Sequence, residues 1–148
     1  MKKQLSIIAA TIVVGFLMVF TAQAQTSSPA RLTTKIPFEF YVKDRVMPAG
    51  EYSVTCLNPT SSNRVLQLSG KDGAGLVIQT GNTLGKLRED ARLVFHRIGN
   101  KFFLSQAWLP ADNNGLTIQK SRVEKELERQ LGEVSVSRTT VAMSVRRK

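Results

Sequence analysis

The sequence has 148 residues, with 21 Lys and Arg against 11 Asp and Glu, and a formal net charge of +10 at pH 7. A single cysteine excludes an intramolecular disulfide, and a single histidine excludes a zinc site unless several carboxylates complete it. The positive charge favours anionic neighbours such as acidic glycans or phosphorylated lipid head groups, although basic residues spread this thinly also serve solubility.

The first 24 residues are organised as a secretory signal peptide. Lys2 and Lys3 precede an uncharged block, Leu5–Phe20, which is followed by Ala22 and Ala24 at the small-residue positions of an A-x-A cleavage site. The block is shorter than the ~20 apolar residues that a transmembrane helix needs. We therefore expect cleavage rather than retention as a membrane anchor.

Cleavage between Ala24 and Gln25 would remove 24 of the 148 residues and leave 124, a length that suits one domain. Two lysines would leave with the signal peptide, so that 19 Lys and Arg would stand against 11 Asp and Glu. The expected location is the periplasm or the extracellular space, with no stable membrane span after cleavage. Residues 25–35 begin with the small polar run QTSSPA and predict a flexible leader.

A β domain with a C-terminal helix is predicted for residues 36–132. Its first strand is half-buried, because apolar residues alternate onto one face: Ile36, Phe38, Phe40 and Val42. The run MPAGEY then predicts a turn, since proline sets φ at an early turn position and glycine accepts a left-handed one.

After this turn, Tyr52, Val54 and Cys56 alternate onto one face of a second strand. The two strands are expected to be neighbours joined by a short connection. The only thiol is expected to be buried and inert, because it shares its face with two apolar residues.

Two more hairpins are predicted downstream. RVLQLS and LVIQT flank the glycine-rich turn GKDGAG, and RLVFHRI and KFFLSQAWL flank Gly99-Asn100, a two-residue connection of the primed-turn type. Between the hairpins, GNTLGKLREDA is predicted to form a loop or one helical turn at 84–90.

The turn at Gly99-Asn100 predicts the register of the last hairpin: Ile98 opposite Lys101, Arg97 opposite Phe102, Phe95 opposite Leu104, and Leu93 opposite Gln106. One face is expected to pack into the core: Leu93, Phe95, Phe102, Leu104 and Trp108. The opposite face is mixed: Val94, His96, Ile98, Phe103 and Ser105.

A helix of about ten residues is predicted from Arg122 to Leu131. Ser121 and Glu124 have the spacing of a capping box, and Gly132 is suited to the C-cap. A narrow apolar stripe, with charges on every other side, predicts a helix on the surface of the sheet: Val123, Leu127 and Leu131.

The tail, residues 133–148, alternates twice with a slip of phase near Thr139-Thr140. This pattern is typical of a terminal strand with a bulge, and it also suits a mobile basic tail. Both interpretations stay open from the sequence.

Four residues are candidates for a ligand or partner surface: Tyr41, His96, Phe103 and Trp108. Aromatic rings stack on sugars and bases, although at strand spacing they equally suit a core or a sheet surface. His96 lies in mid-strand, and the sequence places no nucleophile or orienting acid beside it. No catalytic, cofactor-binding or metal-ligating residue is therefore assigned.

Paired carboxylates offer an alternative function, because two of them across a cleft would serve a small hydrolase acting on envelope carbohydrate. The candidates by residue type are Glu39, Glu51, Glu89 and Asp90. The sequence itself places no two of them together.

Three motifs occur in the order IPFEFYVKDRVMPAGEYSV, LVFHRIGNKFFLSQAWLP and KSRVEKELERQL. This order resembles a family of short exported bacterial proteins that has no assigned activity, and the resemblance extends over about Ile36–Leu131. It implies an exported, mainly β domain and implies no catalytic residue.

The expected fold class is mainly β, an antiparallel sandwich or partly open barrel with one C-terminal surface helix. The expected function is that of an exported, non-catalytic domain that binds a ligand or partner or has a structural role in the cell envelope. The expected partners are an anionic envelope polymer, a glycan or another envelope protein. Neither a cofactor nor nucleic acid is expected.

Overall fold

The computed structural model describes residues 31–73, 75–88, 90–132 and 136–145, with the backbone alone at 86–88. The fold is mainly β, a curled open sheet in the form of a half-barrel with one short helix, which confirms the predicted fold class. The predicted signal peptide and its cleavage site at Ala24 and Gln25 lie outside the described residues.

The described residues form eleven strands and a helix, with the helix before the last strand: β1 (Arg31–Ile36), β2 (Phe40–Val42), β3 (Arg45–Met47), β4 (Gly50–Cys56), β5 (Val65–Gly70), β6 (Gly75–Gln79), β7 (Gly81–Arg88), β8 (Ala91–Ile98), β9 (Lys101–Trp108), β10 (Asp112–Thr117), α1 (Arg122–Leu131) and β11 (Val136–Val145).

The strand order is β3-β2-β9-β8-β11-β1-β4-β5-β6, and β10 pairs with both β9 and β7. β6 runs into β7 with only Thr80 between them. The ladder that leaves β9 through β8 ends at β6, and the chain then continues through Thr80 into β7, which pairs with β10, the other neighbour of β9. This curling wraps the sheet around one apolar core, whose largest fully buried side chains include Phe40, Phe95, Leu32, Ile36 and Leu68.

The predicted flexible leader is wrong for residues 31–35, which belong to β1. Leu32, Thr34 and Ile36 alternate into the interior, and Arg31, Thr33 and Lys35 lie on the other face of the strand. β1 pairs with β4 on one side and with β11 on the other. A strand with two neighbours and an apolar face is an internal part of the sheet.

The first predicted strand pair is also corrected. The apolar residues of its first strand are buried, Phe38 only partly, but they do not form one strand, because β1 ends at Ile36 and β2 begins at Phe40. β2 and β4 are not neighbours either, because β2 lies between β3 and β9 whereas β4 lies between β1 and β5. The tight turn is at Lys43-Asp44, between β2 and β3, where Lys43 has a φ of 53°. Cys56 is a buried free cysteine, as predicted.

The hairpin of β5 and β6 is confirmed, with Val65 opposite Gln79 and Ser69 opposite Gly75. The loop expected over 81–91, or helical turn at 84–90, is wrong for residues 81–88, which form β7 and pair antiparallel with β10. The glycines at 81 and 85 give this segment a composition typical of a loop. Gly85 is nevertheless required within the strand by the packing of Trp108, described below.

The register of the β8–β9 hairpin is correct from Ile98 to Phe95 and wrong beyond it. The register shifts between Phe95 and Val94, so that Leu93 lies opposite Ala107 instead of Gln106. The extra residue on β9 reverses the alternation. Ala107 consequently joins the main core, and Trp108 turns to the outer face of the sheet.

The helix has the predicted bounds, and Gly132 closes it with a φ of 76° and an N–H that donates to the carbonyl of Glu128. The predicted packing face is wrong at two of its three positions, because Val123 is 36% exposed and Leu131 is 50% exposed, whereas Leu127 is half-buried. Glu124 is the buried residue of this helix. Among the described residues, no helix has the length and apolarity needed to cross a membrane.

The described part of the tail, Val136–Val145, is a strand rather than a mobile segment. It pairs with β8 from Val136 opposite Ile98 to Met143 opposite Ala91 without a register shift, so the expected bulge is not present in this ladder. β11 thereby joins the hairpin of β8 and β9 to the half of the sheet that contains β1, β4 and β5.

Candidate ligand-binding site

A row of four hydroxyl side chains crosses the outer face of the sheet from β11 to β5. Ser144 is the cross-strand partner of Thr33, Thr33 that of Ser53, and Ser53 that of Ser69. Because neighbouring strands lie about 4.8 Å apart, the row spans about 14 Å. All four residues are half-buried or exposed, so their hydroxyls are accessible from outside the sheet.

Local alternation explains why these hydroxyls face outward. The neighbouring residues in the same strands are fully buried in the core: Leu32 before Thr33, Val54 after Ser53, and Leu68 before Ser69. Since successive side chains of a strand point to opposite faces, burial of the apolar residues turns the hydroxyls to the other side.

Charged side chains flank the hydroxyl row. Arg31 and Lys35 lie two residues to either side of Thr33 on β1, about 13 Å apart along the strand. Lys35 lies opposite Glu51, and Glu51 forms an ion pair with Lys71. Three cations therefore stand against one carboxylate at this surface.

These residues line a groove of about 560 Å³, which we call the basic groove: Arg31, Thr33, Thr34, Lys35, Glu51, Tyr52, Ser53, Ser69, Gly70, Lys71 and Ser144. Among these lining residues, Tyr52 donates a hydrogen bond from its phenol to the carbonyl oxygen of Pro48 at 2.6 Å. Burial raises the pKa of Tyr52, and the negative charge of Asp72 raises it further. The phenol therefore remains a neutral donor at physiological pH.

The groove has the chemistry of a binding surface. The hydroxyls of Thr33 and Ser53 donate to the carbonyl oxygens of Ser144 and Ser69 at 3.4 Å, which leaves their oxygens able to accept hydrogen bonds. The cations can neutralise acidic groups of a ligand. General acid–base hydrolysis needs a second carboxylate facing the first, and Glu51 is the only carboxylate among the described lining residues.

The structure brings three of the four predicted surface residues together at one end of β8 and β9. Tyr41 stacks on Phe103 with ring centroids 5.0 Å apart and an interplanar angle of 28°. His96 is the cross-strand partner of Phe103. The Nζ of Lys101 lies 5.4 Å from the Tyr41 ring centroid. Phe103 is only 1% exposed, so Tyr41 covers it and it offers no stacking surface of its own.

Trp108 lies apart from these three residues. Its indole packs against the backbones of Gly85 and Gly115, and its Nε1 donates to the Oε1 of Gln106 at 3.2 Å. The guanidinium of Arg92 lies 5.5 Å from the ring centroid. With 9% exposure the ring is covered by its neighbours on the outer face of the sheet, so Trp108 does not present a stacking face to a ligand.

His96 has a different set of neighbours from those expected. Its Nδ1 lies 3.0 Å from the Oε1 of Glu124, and the ligand atoms of His96, Glu124 and Glu128 all lie within 4.8 Å of one another. Sequence reasoning predicted Glu124 as part of the capping box, in which its side chain would accept a hydrogen bond from the backbone N–H of Ser121. The signal that it overlooked is the i, i+4 spacing of two glutamates on one helix face.

The carboxylates proposed for a hydrolase are not gathered at the groove. Glu51 lines it, whereas neither Glu39 nor Asp90 is among its lining residues. Asp90 forms an ion pair with Arg92 at 3.1 Å. Glu89 lies outside the described residues.

Sequence reasoning missed most of the groove. Arg31, Thr33 and Lys35 fall in the predicted flexible leader, and Ser144 falls in the tail, for which the sequence leaves two interpretations open. The alternation in RLTTKI was the available signal, because apolar or small residues recur at every second position there. The row across four strands depends on which strands pair, and no local pattern reports that.

No family model matches the chain, and no match was found among curated proteins or solved structures.

Proposed function

We propose that this protein is an exported, non-catalytic domain that binds an acidic glycan of the cell envelope in the basic groove. The observation that carries the proposal is the hydroxyl row of Thr33, Ser53, Ser69 and Ser144 flanked by Arg31, Lys35 and Lys71. The overall positive charge of the chain supports it, since a positive field attracts polyanions over long range.

An acidic glycan suits this surface better than a small anion does. A phosphate-sized ion would be held by converging donors at one point, whereas Arg31 and Lys35 are about 13 Å apart on one strand. A polymer with acid groups at intervals along it contacts both cations at once. Its neutral hydroxyls hydrogen-bond to the row between them.

Binding is tested by titrating the protein with an acidic polysaccharide, polygalacturonate, and with neutral dextran as the comparison ligand. We expect saturable binding to polygalacturonate that weakens steeply with added salt, because exposed charges are screened. We expect no binding to dextran.

The site is tested with Arg31→Gln/Lys35→Gln, for which we expect at least a tenfold loss of affinity. The matched control is Arg122→Gln/Lys125→Gln, which removes the same charge from exposed positions on α1. Equal losses in the two variants would mean that net charge alone explains the binding and that the groove is not the binding site. Unchanged binding in Arg31→Gln/Lys35→Gln would also mean that the groove is not the binding site.

The contribution of the hydroxyls is tested separately with Ser53→Ala/Ser69→Ala, which leaves every charge in place. We expect a severalfold loss of affinity that does not change with salt, because hydrogen bonds to neutral groups are not screened. If this variant binds like the unaltered protein, the hydroxyl row has no part in recognition.

Export is tested by expressing the full chain and determining the N-terminal residue of the product by mass spectrometry after fractionation. The expected result is a mature chain that begins at Gln25 in the periplasmic or extracellular fraction. A product that retains Met1 in the cytosolic fraction would contradict this part of the proposal without affecting the groove.

A further inference from the structure

A second polar site lies where α1 packs on β8, away from the basic groove. Glu124 and Glu128 are one helical turn apart, and His96 is the β8 residue beneath them. The Nδ1 of His96 is 3.0 Å from the Oε1 of Glu124. The side chain of His96 is 18% exposed, that of Glu124 3%, and that of Glu128 18%, so the site is mostly closed to solvent.

Burial of Glu124 is the unusual feature of this helix. Apolar residues normally hold an amphipathic helix to a sheet, yet Val123 and Leu131 are exposed, Leu127 is only half-buried, and a carboxylate takes the inward position. Buried carboxylates are costly unless positive charge compensates them. The contacts of Glu124 include an imidazole, whereas the ammonium of Lys120 pairs with Glu128 at 2.7 Å.

The geometry points to a site for a divalent transition-metal ion, formed by His96 Nδ1 and one oxygen each from Glu124 and Glu128, which fastens α1 to β8. Zn²⁺ is the ion whose preferences fit best, because it combines imidazole with carboxylate ligands at about 2.0–2.2 Å. Two ligands at that distance in a tetrahedron are about 3.3 Å apart. The 3.0 Å between His96 Nδ1 and Glu124 Oε1 needs little adjustment, and the ligand oxygen of Glu128, within 4.8 Å of the other two atoms, would move inward on binding.

The remaining contacts are compatible with such an ion. Lys120 Nζ is 2.7 Å from both carboxylate oxygens of Glu128, so one oxygen can turn to the ion while the other stays on the ammonium. Water would complete the coordination at the partly open side. An ion held by one strand and two helix positions would add to the limited apolar contact that the half-buried Leu127 provides.

The test uses the full chain after treatment with a chelator, titrated with Zn²⁺ in a calorimeter and with Co²⁺ as a spectroscopic substitute. We expect one ion per chain, visible ligand-field absorption from Co²⁺, and a higher midpoint of thermal unfolding with either metal, since a ligand that binds only the folded state stabilises it.

Two variants and a control locate the ion. Glu128→Gln and His96→Gln should each weaken Zn²⁺ binding at least tenfold and abolish the thermal shift. Glu126→Gln is the matched control, because Glu126 lies on the same helix but pairs with Arg129 and Gln130 away from the site. It should bind like the unaltered chain.

Absence of Zn²⁺ binding to the folded chain overturns the inference, and so does binding that His96→Gln and Glu128→Gln leave unchanged. Circular dichroism of each metal-free variant establishes that it is folded before titration. Glu128→Gln retains the size of the side chain at a partly exposed position, so it keeps the test decisive even if His96→Gln fails to fold. Glycan binding at the groove is measured independently, and neither result depends on the other.

Discussion

The indole of Trp108 lies over Gly85 and occupies the space that a side chain there would need. This contact joins β9 to β7, two strands that are not hydrogen-bonded to each other but share β10 as a neighbour. On β10, a Cβ at Gly115 would be 2.8 Å from the same ring, so both glycines are required by one close approach.

Replacing Gly85 with alanine is therefore expected to destabilise the protein by about 1–3 kcal/mol, because a methyl group would overlap the indole in a packed region. Urea unfolding followed by tryptophan fluorescence measures the change. Gly75→Ala is the matched control, since the nearest atom to a Cβ there is 3.9 Å away. Equal stability of the two variants would contradict the position of the indole.

Tyr52 provides a prediction at high pH. Its folded-state pKa lies above the ordinary value of about 10. A group whose pKa is raised in the folded state contributes stability that is present below the unfolded pKa and lost as pH rises through the folded pKa. Unfolding free energy should therefore fall above pH ~10, and less steeply so in Tyr52→Phe.

The titration of Tyr52 can be isolated because the chain has two tyrosines. In Tyr41→Phe, tyrosinate absorbance reports Tyr52 alone. We expect its midpoint to be higher in the folded protein than in urea. Coincident midpoints would mean that the phenol is neither desolvated nor held by the Pro48 carbonyl.

Asp112 provides the corresponding prediction at low pH. Burial acts to raise the pKa of its carboxyl, but the hydrogen bonds from Arg64 and the Asn114 N–H and the charge of Arg64 outweigh burial, so the pKa is lowered. Its contribution to stability is present above the unfolded pKa of about 3.9 and is lost as pH falls through the lower, folded-state pKa.

Asp112→Asn should remove this part of the acid dependence. Free energies of unfolding in urea at a series of pH values from neutral to strongly acidic would show it as a shallower slope below pH ~4. If Asp112→Asn keeps the slope of the unaltered chain, Asp112 is not paired with Arg64 in solution.

The helix provides a comparison between a cap and an apolar position. The Ser121 hydroxyl accepts a hydrogen bond from the Glu124 N–H at 2.9 Å, so Ser121→Ala should cost about 1 kcal/mol. Val123→Ala should stay within about 0.5 kcal/mol, since Val123 is exposed. Thermal unfolding of both variants measures the difference. A larger loss of stability in Val123→Ala than in Ser121→Ala would mean that the apolar stripe packs against the sheet.

The helix also shows how far sequence reasoning extends to the sites. Its bounds and the cap at Ser121 follow from residues close together in the chain, and both are confirmed. The partner of the Glu124 carboxylate does not follow, because His96 is 28 residues away and the choice between the helix amide and the imidazole depends on how the helix is placed.

The sequence by itself determined the mainly β class, the turn at Gly99-Asn100 and the inward faces of most strands, since alternation and turn chemistry act over a few neighbouring residues. Only the tertiary structure decided that β1 lies between β4 and β11, that a bulge turns Trp108 onto Gly85, and that four hydroxyls align in one row. Strand pairing between distant segments is the physical reason: many partners satisfy the same alternation, and only simultaneous packing of all of them around one core selects among them.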